Sequence, residues 1–402
     1  MELYLQMGWQ MMGHCRELIL KWGKGTAIFS PKDQTKEQMQ KIADFLHKCG
    51  GNVLLDPQLY FPHTNKKPTL LEQDYWPSNY STGSFLAGSG FRNILDILND
   101  NYIEPMGMSA FILPLLKIDD IDDDWFKISD IIINESTKIS TSKKKYGTLC
   151  INDNILLNED KIHQLLEEIE DYPVDGFYII PMHPGNEYLV DDVSWLINLM
   201  DLCASLKLQN KEVITGYSGH QFLLLALAKV NAICAGTWLK TRVFPVNDFN
   251  DDDKDEGGRK KPWYYCPQAL SEYKIGFLEI ARRSGLLDSM KTPSDYESPY
   301  ADILFSGAQP ETVDFGEQSA FRQYLQCLKV QCEEVTQNTY EETLTYLRLI
   351  FQTALNLTTD YRTKGVRGNL RDFSIAAEAN LSILDAFDNL WGLRYKNAWN
   401  KL

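Results

Sequence analysis

FYIIPMHPGNEYLVDDVSWLINLMDLCASLKLQNKEVITGYSGHQFLLLALAKVNAICAG, residues 177–236, decides the fold class. It opens on a short apolar run, 177–181, and passes through a polar loop into a helical stretch over 192–206. Residues 212–215 (EVIT) begin a second strand, 222–229 read as a helix, and 231–236 (NAICAG) as a third strand. Strands that alternate with helices pair in parallel, because a parallel neighbour is reached only by a long crossover. The runs are apolar almost without interruption, the pattern of strands covered on both faces.

Upstream, the same unit recurs. Residues 26–30 (TAIFS) read as a strand, followed by a helix over 35–49 with Met39, Ile42, Phe45 and Leu46 at helical spacing. Gly50 and Gly51 stop that helix, and 52–56 (NVLLD) is the next strand. After a loop rich in Pro, Asn, Tyr and Ser, 91–99 is helical, 110–116 and 145–152 are strands, and 160–171 is a helix. Seven strands of this kind predict a closed barrel, and 301–305 (ADILF) is the candidate for the eighth. The expected architecture is an α/β fold, a (β/α)8 TIM-like barrel over 1–310, with an appended helical unit over 311–402. That unit carries helices over 318–334, 340–356 and 370–396, whose apolar faces suit docking on the barrel or on a protein partner.

The chain has 402 residues, 44% of them hydrophobic and 24% charged, an ordinary globular composition. Its formal net charge is -15. Phosphate contacts need Lys and Arg, so such a chain holds nucleic acid only through a local basic face or a basic partner. The segment 250–261 (NDDDKDEGGRKK) reads as a solvated acidic-then-basic loop. The eight cysteines are scattered without a C-x-x-C, and are expected as reduced thiols in a cytoplasmic protein. No apolar run reaches the ~18 residues of a membrane span, so no membrane association is expected.

In a parallel barrel, reactive side chains sit at the carboxyl ends of strands. That rule selects Asp56, Gln58 and Tyr60 after one strand, His183 and Glu187 after another, Tyr217 and His220 after a third, and Thr237, Lys240 and Arg242 after a fourth. Asp56, His183, Glu187 and His220 are the catalytic candidates. Gln58, Tyr60, Tyr217, Thr237, Lys240 and Arg242 are the substrate-binding ones. Each has a plainer reading. Asp56 before Pro57 suits a turn, His183 a satisfied loop histidine, His220 a packed helix start, and Lys240 with Arg242 a pairing with the Asp-rich loop. Glycine-rich phosphate loops and H-E-x-x-H are absent, and GYSGH (216–220) has His220 where a nucleophile elbow has glycine. No cofactor and no metal site is expected.

Residues 174–242 resemble the tRNA-guanine transglycosylase superfamily, including its DNA-modifying 7-deazaguanine paralogues. The likeness rests on Asp175-Gly176-Phe177-Tyr178-Ile179, on Gly185-Asn186-Glu187, on the turn Thr215 to His220, and on Thr241-Arg242. It extends over roughly residues 26–305. The resemblance implies a barrel that exchanges a guanine-type base, with Asp56 in the place of the family's base-contacting aspartate. Two family features are missing: the stretch Ala235 to Lys240 has no carboxylate where the nucleophile stands, and the zinc-binding cysteines are absent. The expected function is a divergent transglycosylase-like protein handling a purine-type base or N-glycoside, with a nucleic acid or nucleotide as partner. A catalytically silent barrel serving as a nucleotide-binding or assembly subunit, and a barrel hydrolase of an unrelated small substrate, remain as alternatives.

Overall fold

The computed structural model describes residues 1–78, 80–250 and 262–402. The solvated loop expected over 250–261 falls, beyond its first residue, outside the described residues. Helices of eight or more residues are numbered. The order is β1 (Glu2–Gln6), α1 (Met12–Trp22), β2 (Thr26–Phe29), α2 (Lys36–Lys48), β3 (Asn52–Leu55), α3 (Ser89–Leu98) and β4 (Ala110–Leu113). There follow α4 (Asp123–Thr137), β5 (Lys144–Ile151), α5 (Glu159–Ile169), β6 (Gly176–Pro181), α6 (Val193–Leu208), β7 (Glu212–Thr215) and β8 (Ala232–Ala235).

The eight strands form one parallel sheet in the order β3-β2-β1-β8-β7-β6-β5-β4. Its two edges, β3 and β4, meet where the Ser109 N–H donates to the Val53 carbonyl at 3.1 Å, so the sheet is a nearly closed (β/α)8 barrel. All six residues of β6 are buried, as a strand covered on both faces requires. The helices begin where the sequence offers caps. Thr35 and Gln38 form a reciprocal capping box on α2, and Asp122, Asn158 and Asp192 each accept the backbone N–H three residues on.

The eighth strand is the first in the chain. Residues 301–305, expected to supply it, lie in the 3₁₀ segment Pro299–Phe305, which turns Ala301 and Leu304 into the core. β1 lies between β2 and β8, pairing Tyr4 with Thr26 and Leu5 with Ala235. One polar member is needed inside. Gln6 is fully buried, and its side-chain oxygen accepts from the Tyr178 hydroxyl of β6 at 3.1 Å. Two strands separate β1 from β6, so this bond crosses the barrel interior.

Between β7 and β8 the expected helix is instead the 3₁₀ segment His220–Ala228, with every residue buried. What covers it comes from the C-terminal part. An antiparallel pair, β9 (Trp263–Cys266) and β10 (Ser271–Lys274), leads into α7 (Ile275–Arg283), α8 (Glu317–Val335), α9 (Tyr340–Thr363) and α10 (Ala377–Ala398). The α10 residue Asn380 accepts from Gln221 in the 3₁₀ segment at 2.8 Å. Trp391 donates to Asp201 of α6 at 2.9 Å, and the Tyr395 hydroxyl to the Ala228 carbonyl at 3.1 Å. On the other flank, Gln326 of α8 accepts from the Trp22 indole at 2.8 Å. The C-terminal helices therefore dock on the barrel and share its core. Among the described residues no helix is long and apolar enough to cross a membrane.

Candidate active site

β3 delivers Asp56 to the carboxyl end of the barrel with no solvent exposure. Three donors converge on its carboxylate: the Tyr60 hydroxyl, the Gln58 backbone N–H (3.1 Å) and the Tyr217 hydroxyl (3.4 Å). Burial pushes the Asp56 carboxyl up to about 7, against the opposing pull of these three bonds and the nearby Lys32 charge. Burial also raises the phenols of Tyr60 and Tyr217 well above their ordinary value, so both remain neutral donors.

The backbone is held in unusual geometry to make this cluster. Gln58 (φ 57°) and Tyr217 (φ 48°) both occupy the left-handed region, which costs a residue other than glycine on the order of 1 kcal/mol. The Gln58 side chain donates to Ser30 Oγ (2.9 Å) and to the Tyr217 hydroxyl (3.2 Å), and accepts the Lys32 backbone N–H (2.9 Å). Ser30 in turn donates to Asp33 (2.8 Å), which pairs with the Lys32 ammonium at 3.1 Å. A second carboxylate thus stands one strand away and is joined to Asp56 through Ser30, Gln58 and Tyr217. Tyr60 and Tyr217 meet Phe244 edge-on at 5.3 and 5.1 Å, and Phe249 meets Tyr60 edge-on at 5.8 Å. These rings close the barrel end.

Arg242 anchors a separate cluster. Its guanidinium pairs with Glu272 (2.9 Å), donates to the Tyr188 hydroxyl (3.2 Å) and to the carbonyls of Gly236 and Thr237 (both 2.9 Å), and stacks on Tyr324. Arg371 takes the other Glu272 oxygen at 2.9 Å. Burial alone would push the Glu272 carboxyl up, but the two guanidinium charges more than offset it and hold it below the usual range. His220 lies beside this group, its Nδ1 3.3 Å from the Tyr188 hydroxyl, with burial pushing its imidazole down to about 4. His183 is elsewhere again, its ring against Trp195 and Phe222 and its Nδ1 2.8 Å from the Glu187 carbonyl. Burial takes it to about 4 as well, so it is neutral at physiological pH.

The ten side chains expected around one pocket are therefore dispersed. Asp56, Gln58, Tyr60 and Tyr217 come together. His220, Arg242 and Thr237 belong to the ion-pair cluster, and His183 to an aromatic niche. Glu187 and Lys240 are exposed. The turn Gly185 (φ 59°) and Asn186 (φ 58°) swings the Glu187 side chain outward and leaves only its carbonyl facing His183. Lys240 rides on the 3₁₀ turn Leu239–Thr241, which buries Thr241 and sends its neighbour to the surface. Ser30, Lys32 and Asp33 were not among the candidates, although they follow β2 and the same strand-end rule reaches them. Glu272, Tyr188 and Tyr324 carried no such signal.

No family model matches the chain, and no curated protein matches it. Among solved structures, a glycoside hydrolase family 5 mannosidase from Rhizomucor miehei (a point mutant) is similar at 9% identity and a TM-score of 0.32, over 58% of this chain and 80% of that one. A likeness of that size carries no argument about chemistry.

Proposed function

We propose that the barrel end around Asp56 is an acid–base site for a purine-type N-glycoside, in the manner of a divergent transglycosylase. One observation carries this reading: a fully buried carboxyl held at about 7 at a strand end, fixed by two phenols and a backbone N–H. A group near neutrality serves as proton donor and acceptor in turn. In its protonated form Asp56 gives its proton to the ring nitrogen of the departing base as the bond from that nitrogen to the sugar carbon breaks. Asp33, at the outer end of the same hydrogen-bonded chain, accepts the proton of the incoming water or base as the new bond to the sugar carbon forms. Tyr60, Phe244 and Phe249 must part for substrate to enter.

That same closure favours a second reading, a barrel that binds or assembles without turnover, since the rings leave Asp56 no exposure. Incorporation of labelled guanine into RNA and DNA separates the two. Exchange by the wild type that disappears in Asp56→Asn supports the acid–base site. No exchange on either polymer by the folded protein overturns guanine exchange and leaves the binding role.

A further inference from the structure

Gln73, in the long loop after β3, is buried and has both ends of its amide bonded to other parts of the chain. Its Nε2 donates to the carbonyls of Pro31 (3.2 Å), Gln34 (3.0 Å) and Thr69 (3.0 Å). Carbonyls only accept, so Nε2 must face them and Oε1 must point the other way. There Oε1 accepts from the Tyr102 hydroxyl at 3.0 Å. Tyr102 belongs to the π-helical turn Asn99–Ile103 that follows α3. Such turns are rare and recur at functional sites.

The two carbonyls of Pro31 and Gln34 bound the turn that supports Asp56. Gln34 closes this turn from within, its Oε1 accepting the Ser30 N–H at 3.1 Å. The Lys32 N–H then donates to Gln58 Oε1 (2.9 Å), and Ser30 Oγ accepts from Gln58 Nε2 (2.9 Å). A backbone N–H only donates, so the Gln58 amide has one orientation, with its donor side toward Tyr217. Nε2 donates to the Tyr217 hydroxyl oxygen at 3.2 Å, which leaves the Tyr217 proton for the Asp56 carboxylate at 3.4 Å. The same loop holds the other flank of the site, where the Tyr75 hydroxyl donates to the Pro57 carbonyl at 2.7 Å.

We propose that Gln73 is a positioning residue for the barrel-end site: by fixing the Pro31–Gln34 turn it orients the Gln58 amide and, through it, the Tyr217 hydroxyl on Asp56. The inference rests on the reading of Asp56 as the acid–base group. Its test follows the titration of Asp56 and not turnover, so a missing base exchange leaves it standing.

The protonated Asp56 carboxyl band is followed by infrared titration, as the difference from Asp56→Asn, in the wild type, Gln73→Met, Tyr102→Phe and Ile162→Ala. Methionine keeps the length of the side chain without the amide. Ile162→Ala removes buried volume from α5, outside these loops, and controls for general destabilisation. The other groups that sense the Asp56 charge, Lys32, Tyr60, Tyr75, Tyr178, Cys150 and Cys234, are the same in every protein compared. Gln73→Met is expected to raise the Asp56 midpoint by about half a pH unit or more, because a weakened Tyr217 bond favours the ionised form less. Tyr102→Phe should raise it by a smaller amount. Ile162→Ala should lower the thermal midpoint and leave the Asp56 titration in place. An unmoved Asp56 midpoint in Gln73→Met makes Gln73 a packing residue and overturns the inference, as does an equal rise in Ile162→Ala. If Gln73→Met does not fold, Tyr102→Phe decides: a rise supports the inference and no rise overturns it.

Discussion

Arg242 and Glu272 form an ion pair at 2.9 Å with side chains only 3% and 4% exposed, tying the loop after β8 to the hairpin strand β10. The pair is completed on one side by the carbonyls of Gly236 and Thr237 and on the other by Arg371. Breaking a buried pair by removing one charge leaves the other desolvated and alone. Glu272→Gln is therefore expected to cost about 3–5 kcal/mol in urea unfolding. Arg242→Lys loses the planar fork and should cost a comparable amount. A change under about 1 kcal/mol in either would mean that water reaches this pair.

Asp56 gives the protein a distinctive pH dependence. In the fold its carboxyl keeps the proton up to about 7, against 3.8 for the free side chain. The stability contributed by the neutral carboxyl is complete below about 4 and lost as pH rises through 7. His183 and His220 run the other way. Held at about 4 against 6.5, they contribute fully above 6.5 and lose that contribution as pH falls through 4. In Asp56→Asn that component is gone, while those of the histidines, His14 among them, and of the other shifted groups remain in both proteins. The unfolding free energy of the variant minus that of the wild type should climb between pH 4 and 7, then level off. At about 1.4 kcal/mol per tenfold change in proton affinity the climb is on the order of 4 kcal/mol. A flat difference would mean that Asp56 titrates in the fold as it does in the unfolded chain.

Tyr60 and Tyr217 both favour the ionised form of Asp56, so removing either hydroxyl should raise the carboxyl midpoint further. Infrared titration of the protonated carboxyl band in Tyr60→Phe and Tyr217→Phe reads this directly. The larger rise is expected for Tyr60→Phe, whose hydrogen bond is the stronger opposing influence. A downward shift would show that the phenols act on some other group.

Gly176 begins β6, where a Cβ would lie 2.2 Å from the Glu212 carbonyl oxygen of β7. Nothing flexible is available to yield, because the clash is with backbone. Gly176→Ala should cost several kcal/mol, of the order seen for overpacked cores, and should lower the thermal midpoint or the soluble yield accordingly. The Asp-Gly-aromatic pattern around it thus has a packing cause independent of any chemistry.

Much of this molecule is written in local pattern. Seven strands were legible because barrel strands are continuous apolar runs, and the meeting of Asp56, Gln58, Tyr60 and Tyr217 because strand-end loops converge at one end of a parallel barrel. β1 was not, because Tyr4 and Gln6 interrupt its apolar residues and its partners lie at Thr26 and Ala232. The dispersal of the other candidates was also hidden. Backbone turns at Gly185, Asn186 and Leu239–Thr241 decide which way Glu187 and Lys240 face, and side-chain direction there follows dihedrals that spacing does not encode. Glu272 was invisible for a different reason: it pairs with a residue thirty positions upstream through tertiary placement alone.

The seat of β1 between β2 and β8 sets the timetable on which this protein is made. Translation releases the segment Glu2–Gln6 early, and β2 zips to one side of it almost at once, yet the other side waits until Ala232–Ala235 has left the ribosome. Through that interval the nascent sheet carries a raw hydrogen-bonding margin, the kind that recruits stray strands. Closing it pairs Glu2 with Ala232, a long-range contact of the kind that slows folding. Dilution and chaperones that mask that margin should therefore govern the yield of native protein more than any change at the barrel end.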